Sequence, residues 1–212
     1  MAVGAKRWFF DAWSRVYDAP WVQRATYRPV QNAVVEALRH PAPRRVLDIG
    51  CGTGQLAHRI AETFPHVRVV GCDFSAGMLR RAAARSRGVR WVQGDAGRLP
   101  FHDRSFDTIV STEAFHWFPD QGAALAEFFR TLQPGGRLLL AAVNTPAAPV
   151  SGVFWLGSRL AGEPFYWPTT SQMRRWVESA GFRIEGQRRV FRLPGFLLPP
   201  VLTAAVRPQR HR

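Results

Sequence analysis

Ten residues, Val46-Leu47-Asp48-Ile49-Gly50-Cys51-Gly52-Thr53-Gly54-Gln55, constrain the fold of this chain more than any other stretch. An apolar run ends in a glycine-rich turn, and Leu56, Ala57, Ile60, Ala61 and Phe64 then recur at helical spacing. That pattern is strand, tight turn, helix. Glycines let backbone pass close to a ligand with no Cβ in the way. The new helix points free N–H groups and its positive end at the same spot. Such a turn holds a polar ligand at the carboxyl end of a strand, where doubly wound sheets bind theirs.

Dinucleotide-binding turns read G-x-G-x-x-G/A, the third glycine allowing helix and strand to pack closely. Here the spacing is G-x-G-x-G, and Gln55 stands where that third glycine would be. Asp48 places an acid beside the ligand, which suits an ammonium group and suits a pyrophosphate badly. The stretch resembles the first motif of class I S-adenosylmethionine (SAM)-dependent methyltransferases, close to hhDhGxGxG. The resemblance implies SAM as cofactor, S-adenosylhomocysteine as product, and a loop made of Asp48, Gly50, Cys51, Gly52, Gly54 and Gln55. A different Rossmann-like binder is the competing reading.

Around this unit the chain alternates strands and helices. Val67–Cys72 reads as a strand ending at Asp73, and Ser75 as the cap of a helix through Met78, Leu79, Ala82 and Ala83. Val89–Gln93 and Phe106–Ser111 are further strands, and Asp120 caps a helix that turns Leu125, Phe128, Phe129 and Leu132 inward. Gln133-Pro134-Gly135-Gly136 turns into a strand from Arg137 to Val143. Short turns between alternating elements imply a parallel sheet with helices on both faces. Thr169 and Gln172 form a capping box for a helix carrying Met173, Trp176, Val177 and Ala180, and Gly181 ends it. Phe182–Arg192 and Val201–Val206 pair as a closing hairpin, as in the resembled family. The expected fold is α/β: a doubly wound, Rossmann-like, mostly parallel seven-stranded sheet with a C-terminal antiparallel hairpin.

Length fits one domain over 1–212. Its parts are a helical cap (1–43), a cofactor-binding core (44–143), a lid-like insert (144–168), and a C-terminal helix and hairpin (169–212). In the cap, Phe9, Trp13, Val16 and Tyr17 share one helical face, and a second helix runs from Pro29 through Val30, Val34 and Leu38. These helices cover a sheet face, or fold Trp13 and Tyr17 over the acceptor. The insert ends in Phe165-Tyr166-Trp167-Pro168 and reads as a lid or as packing on the sheet.

Strand ends supply the remaining site residues. Asp73 lies about 20 residues past the turn, where an acid accepts both ribose hydroxyls; helix capping is its alternative role. Phe74 and Met78 pack on the adenine face or in the core. Gly94-Asp95-Ala96 matches the family's third element, which implies that Asp95 accepts from the adenine amino group and that the Ala96 N–H reaches a ring nitrogen. The segment Ser111-Thr112-Glu113-Ala114-Phe115-His116-Trp117-Phe118-Pro119-Asp120 resembles the family's motif after the fourth strand. The resemblance sets Ser111 and Glu113 near the sulfonium and Phe115 and Trp117 near the acceptor. His116 is the candidate general base, histidine titrating near neutrality; a structural histidine is the alternative. Little else is demanded of the protein, because in-line transfer from a sulfonium needs alignment above all. No metal-ligand spacing stands out.

The acceptor is reached by exclusion. There is no Asn/Asp-Pro-Pro-Tyr/Phe after the fourth strand, as adenine amino methylation would need, and no Pro-Cys for cytosine C5 methylation. The net charge of +14 invites a nucleic-acid reading, but the arginines are dispersed and Lys6 is the one lysine, a composition that fits a GC-rich genome. A small or lipid-like acceptor remains, and the family branch that the chain resembles is the one that includes ubiquinone and menaquinone methyltransferases. An RNA methyltransferase and a non-catalytic SAM- or NAD-binding protein are the alternatives. Contact with an anionic membrane surface stays open. Cys51 and Cys72 read as buried reduced thiols, and no secretory signal or apolar span of about 18 residues appears, so a cytoplasmic protein is expected.

Overall fold

The computed structural model describes residues 23–144, 167–190 and 199–209. Their centre is a seven-stranded sheet, formed by β1 (Arg45–Ile49), β2 (Arg68–Asp73), β3 (Arg90–Gln93), β4 (Phe106–Thr112), β5 (Leu132–Val143), β6 (Arg183–Arg189) and β7 (Pro200–Val206). The strand order is β3-β2-β1-β4-β5-β7-β6. β1 to β5 run parallel to one another, and β7 lies antiparallel between β5 and β6. This is the expected doubly wound sheet with its closing hairpin. The order reverses at β1, so β1 and β4 open the crevice where such sheets bind ligands.

Helices cover both faces. α1 (Arg28–Ala37), α2 (Gln55–Thr63) and α3 (Ala76–Arg85) lie on one, where Val30, Val34, Leu38, Leu56 and Ile60 meet Val46, Val110 and Leu139. α4 (Gln121–Thr131) and α5 (Thr170–Ser179) lie on the other, where Leu125, Phe128, Met173 and Val177 meet Leu47, Ile109 and Leu138. Both neighbours of each buried β1 residue are thus consumed by core, and the apolar run that reads as continuous in the sequence is a strand covered on both sides.

The predicted caps are present. Ser75 Oγ accepts from the Met78 N–H, and Asp120 accepts from the Ala123 N–H. Thr169 and Gln172 exchange both bonds of the capping box. Gly181, at φ +95°, ends α5. Removing the Thr169 hydroxyl frees one orphan N–H, so Thr169→Ala is expected to lower stability by about 1 kcal/mol in a urea melt. No change would mean that water replaces the cap at no cost.

Ala83 is exposed and Leu79 only half-buried, because α3 presents a narrow stripe, Met78 and Ala82, to the sheet. Gln133–Gly136 belongs to β5 as an irregularity rather than preceding it: Phe106 pairs with Leu132, and Thr108 already with Arg137. Gly135, at φ +78°, makes this possible, and backbone bonds with Arg207 hold the looped residues on both sides. Among the described residues no helix is long and apolar enough to cross a membrane.

Candidate functional site

The loop after β1 is set by backbone conformation first. Gly50, Gly52 and Gly54 take φ of +68°, +55° and +77°. A Cβ on Gly50 would lie 2.3 Å from the Ala114 Cβ, and one on Gly54 would lie 2.4 Å from the Trp91 ring. Gly71 on β2 also faces Trp91 at 2.4 Å. Trp91 therefore packs flush against two glycines, with its indole N–H fixed on the Ser86 carbonyl at 3.1 Å. Gly54 provides the close helix–sheet approach that the dinucleotide pattern gives to its third glycine. Sequence reading did not single out Trp91, since its partners are distant in the chain.

The loop is tied to the end of β2. The Gly50 and Cys51 N–H groups donate to the Cys72 carbonyl at 2.8 and 3.2 Å. The two carboxylate oxygens of Asp73 divide their work: Oδ2 accepts from the Gly52 N–H at 2.8 Å, and Oδ1 from the Ser75 N–H at 2.9 Å. A carboxylate offers about four acceptor positions, so one side chain can serve several donors at once. Phe74 is half-buried, its carbonyl accepting from Gln93, and Met78 is buried beneath. Asp95 is exposed in a turn, where its Oδ1 accepts from the Gly97 N–H at 2.8 Å, beside buried Ala96.

Asp48 lies under the loop, only 1% exposed, and neither carboxylate oxygen has a hydrogen-bond partner. Burial pushes its carboxyl up to about 7, the charge of Asp73 adds to this, and the Ala57 backbone pulls weakly the other way. The neighbouring thiols are held protonated for the same reasons. Burial, then the charges of Asp73 and Asp48, raise Cys51 well above its ordinary value and push Cys72 up to about 12. Both are free, buried and inert as nucleophiles.

Beyond β4 the chain turns sharply. Ser111 is fully buried with an unpartnered hydroxyl. Glu113 takes φ +56°, and its N–H donates to the Ala141 carbonyl at 2.8 Å, carrying the segment over the end of β5. A non-glycine residue held at positive φ is uncommon and clusters at functional sites; nothing in the local sequence announces it. Phe115–Trp117 then forms a single 3-10 turn. Phe115, expected beside an acceptor, lies on the core side of this turn. It is fully buried in the core, its ring 5.7 Å from Phe118 and 6.5 Å from Trp176. The turn rotates Phe115 inward and leaves Trp117 half-buried. His116 is buried, 5.2 Å from the Trp117 ring and 6.2 Å from the Trp167 ring. Trp13, Tyr17 and Tyr166 lie outside the described residues.

Glycine loop, Asp48, Asp73, Asp95, Ser111 and Glu113 thus sit at or just past the carboxyl ends of β1, β2, β3 and β4. One further residue, Asn144, directly follows β5 and was not foreseen. It is 5% exposed, and its Nδ2 donates to the Pro168 carbonyl at 3.1 Å.

Comparison with known proteins places this geometry. Residues 46–136 match the family model described as a methyltransferase domain. The chain is 33% identical over 187 residues to a demethylmenaquinone methyltransferase of Deinococcus radiodurans, covering 77% of each. It is 35% identical over 138 residues to a malonyl-[acyl-carrier protein] O-methyltransferase of Hahella chejuensis, 64% of this chain but only 48% of that one. Among solved structures, one chain of the complex between the Haloferax volcanii Trm112 methyltransferase activator and a methyltransferase superposes with a TM-score of 0.77. It covers 94% of this chain and 98% of that one at 24% identity, a likeness of fold.

Proposed function

The chain belongs to the class I SAM-dependent methyltransferase family, and we propose that it methylates a small or lipid-like acceptor, with a reduced quinone as the favoured class. The cofactor is SAM. The observation that carries the site assignment is Asp48, a buried carboxylate without a partner directly beneath a bare glycine loop. A buried anion in that state is costly unless a cation joins it. The ammonium of a bound amino acid supplies one.

The remaining residues fit the rest of such a ligand. Asp73 ends β2 beside the glycine loop, where a carboxylate accepts from ribose hydroxyls, Asp95 has a second carboxylate oxygen for the adenine amino group, and the Ala96 N–H serves a ring nitrogen. The loop and the start of α2 turn backbone N–H groups to the carboxylate end. When bound, SAM would supply an electrophilic methyl carbon on its sulfonium, to which an acceptor electron pair bonds as the carbon–sulfur bond breaks and S-adenosylhomocysteine leaves as a neutral thioether. Ser111 and Glu113 line that end of the crevice. His116, shielded by Trp117 and Trp167, takes the proton that the acceptor loses on methylation. His116→Ala with full turnover at every pH would remove it from that role.

Acceptor class follows the relative aligned over most of both chains, which is named for a quinone substrate. The test is transfer of labelled methyl from SAM to a short-chain reduced demethylmenaquinone, with a malonyl thioester and total tRNA alongside. Label in the quinol supports the reading; label only in RNA, with steep salt dependence, would replace it with RNA methylation.

Asp48 also fixes a pH signature. Its carboxyl titrates near 7 in the fold and near its ordinary 3.8 when unfolded. Between those values the folded protein retains a proton that the unfolded chain has lost. Stability should therefore fall as pH rises from about 4 to about 7, by up to a few kcal/mol, and level off above. A ligand ammonium favours the ionised form, so cofactor affinity moves oppositely, weakening by up to ~10-fold per unit below pH 7. Urea melts and calorimetry across pH 5–8 should show both trends in the native protein and neither in Asp48→Asn.

A further inference from the structure

We propose that the side-chain carbonyl of Asn144 is the hydrogen-bond acceptor that recognises a hydroxyl group on the methyl acceptor, selecting hydroxyl-bearing rings over carboxylates. The inference rests on the methyltransferase reading above and names the substrate class of the same site.

The orientation of the Asn144 amide is determined by its partner. The Pro168 carbonyl only accepts, so the amide group facing it at 3.1 Å is the NH2. The Oδ1 atom then points elsewhere, is shielded from solvent, and has no hydrogen-bond partner. Few buried polar groups in folded proteins are left in that condition, and each asks for an explanation. A donor that arrives with the substrate supplies one.

Placement agrees. Asn144 follows the last residue of β5, beside the strand carbonyl of Ala141 that takes the Glu113 N–H at 2.8 Å. It belongs to the same sheet face as Leu138, Leu140 and Ala142, where α5 packs. Its anchor, Pro168, is next to Trp167, whose ring stands 6.2 Å from His116. Three elements, the end of β5, the entry to α5 and the turn after β4, thus bring an acceptor atom, a histidine and two tryptophans to one side of the crevice. Flat aromatic walls suit a flat ring. An acceptor-only atom suits an O–H donor on it. A carboxylate acceptor carries no proton near neutrality and would set oxygen against oxygen at Asn144, an unpaired arrangement that disfavours it strongly.

The test compares 1,4-dihydroxynaphthalene, kept reduced under anaerobic conditions, with its dimethyl ether. Each is titrated into the S-adenosylhomocysteine complex of the native protein and of Asn144→Leu, which is similar in volume and lacks the carbonyl. The native protein should favour the dihydroxy ligand by about tenfold or more, the usual weight of a buried hydrogen bond. In Asn144→Leu that preference should shrink to about twofold with S-adenosylhomocysteine affinity close to native, while Tm falls because the Pro168 carbonyl loses its buried donor. A purely structural role would instead weaken both ligands alike and leave the preference unchanged, and that result overturns the proposal. If the variant does not fold, the native comparison decides alone: equal affinity for diol and ether removes Asn144 from recognition. Transfer to the diol with no effect of Asn144→Leu on the preference would sink this inference and leave the methyltransferase reading standing. Failure to transfer methyl to any small acceptor would sink the reading itself.

Discussion

Gly50→Ala is expected to lose cofactor binding by about 30- to 5,000-fold, through two independent costs. At φ +68° an alanine pays for the left-handed conformation, about 1–2 kcal/mol. Its Cβ would also lie 2.3 Å from the Ala114 Cβ, a contact that neither backbone can relieve by rotating a side chain. Overpacking of this kind costs about 1–3 kcal/mol. Either the loop withdraws and the cradle opens, or it stays and the protein is destabilised by the same sum. Gly186→Ala is the matched control, because a Cβ there meets nothing within 4 Å. S-adenosylhomocysteine calorimetry and a urea melt on both variants separate the outcomes. Equal behaviour of the two glycines would show that the loop after β1 is not under steric constraint.

Asp73→Ala should weaken the cofactor by about 100-fold or more, beyond the loss of a single ligand contact. The carboxylate holds the Gly52 N–H and the Ser75 N–H at once, so its removal frees the loop and the start of α3 together. Each charge-assisted bond is worth about 1.5–3 kcal/mol. Asp73→Asn should be intermediate: it keeps one acceptor oxygen and turns an NH2 toward a backbone donor. Both variants remove a charge that helps keep the Asp48 carboxyl high. Asp48 should then titrate lower, though still above its ordinary range, because burial is the larger cause. Native affinity in a folded Asp73→Ala, with no movement of the pH profile, would take Asp73 out of the site.

These consequences show which parts of the molecule local sequence can carry. The glycine turn, the Ser75 and Asp120 caps and the Thr169–Gln172 box each depend on residues within a few positions, and all are present. The acids at the ends of β1 and β2 were legible because a strand's end is marked by its own composition. Contacts across the chain were not. Trp91 as the partner of Gly54 and Gly71, and Asp73 reaching back 21 positions to Gly52, follow only from sheet order. Asn144 meets Pro168 across 24 positions, so its unpaired oxygen has no local signature. The direction of the Phe115 ring was not legible, because a 3-10 turn has neither the strand period nor the helix period to show it. The left-handed Glu113 was hidden for a related reason, since that conformation is imposed by its bond to Ala141 rather than preferred by glutamate.

The central claim is that a glycine loop and the acids at the ends of neighbouring strands are shaped for adenosine joined to a cationic amino acid. Calorimetric titration of the native protein with S-adenosylhomocysteine, and separately with NAD, tests it most directly. The account predicts one-site binding of S-adenosylhomocysteine that weakens below pH 7, and no heat with NAD. Saturable binding of NAD, with none of S-adenosylhomocysteine, would contradict it.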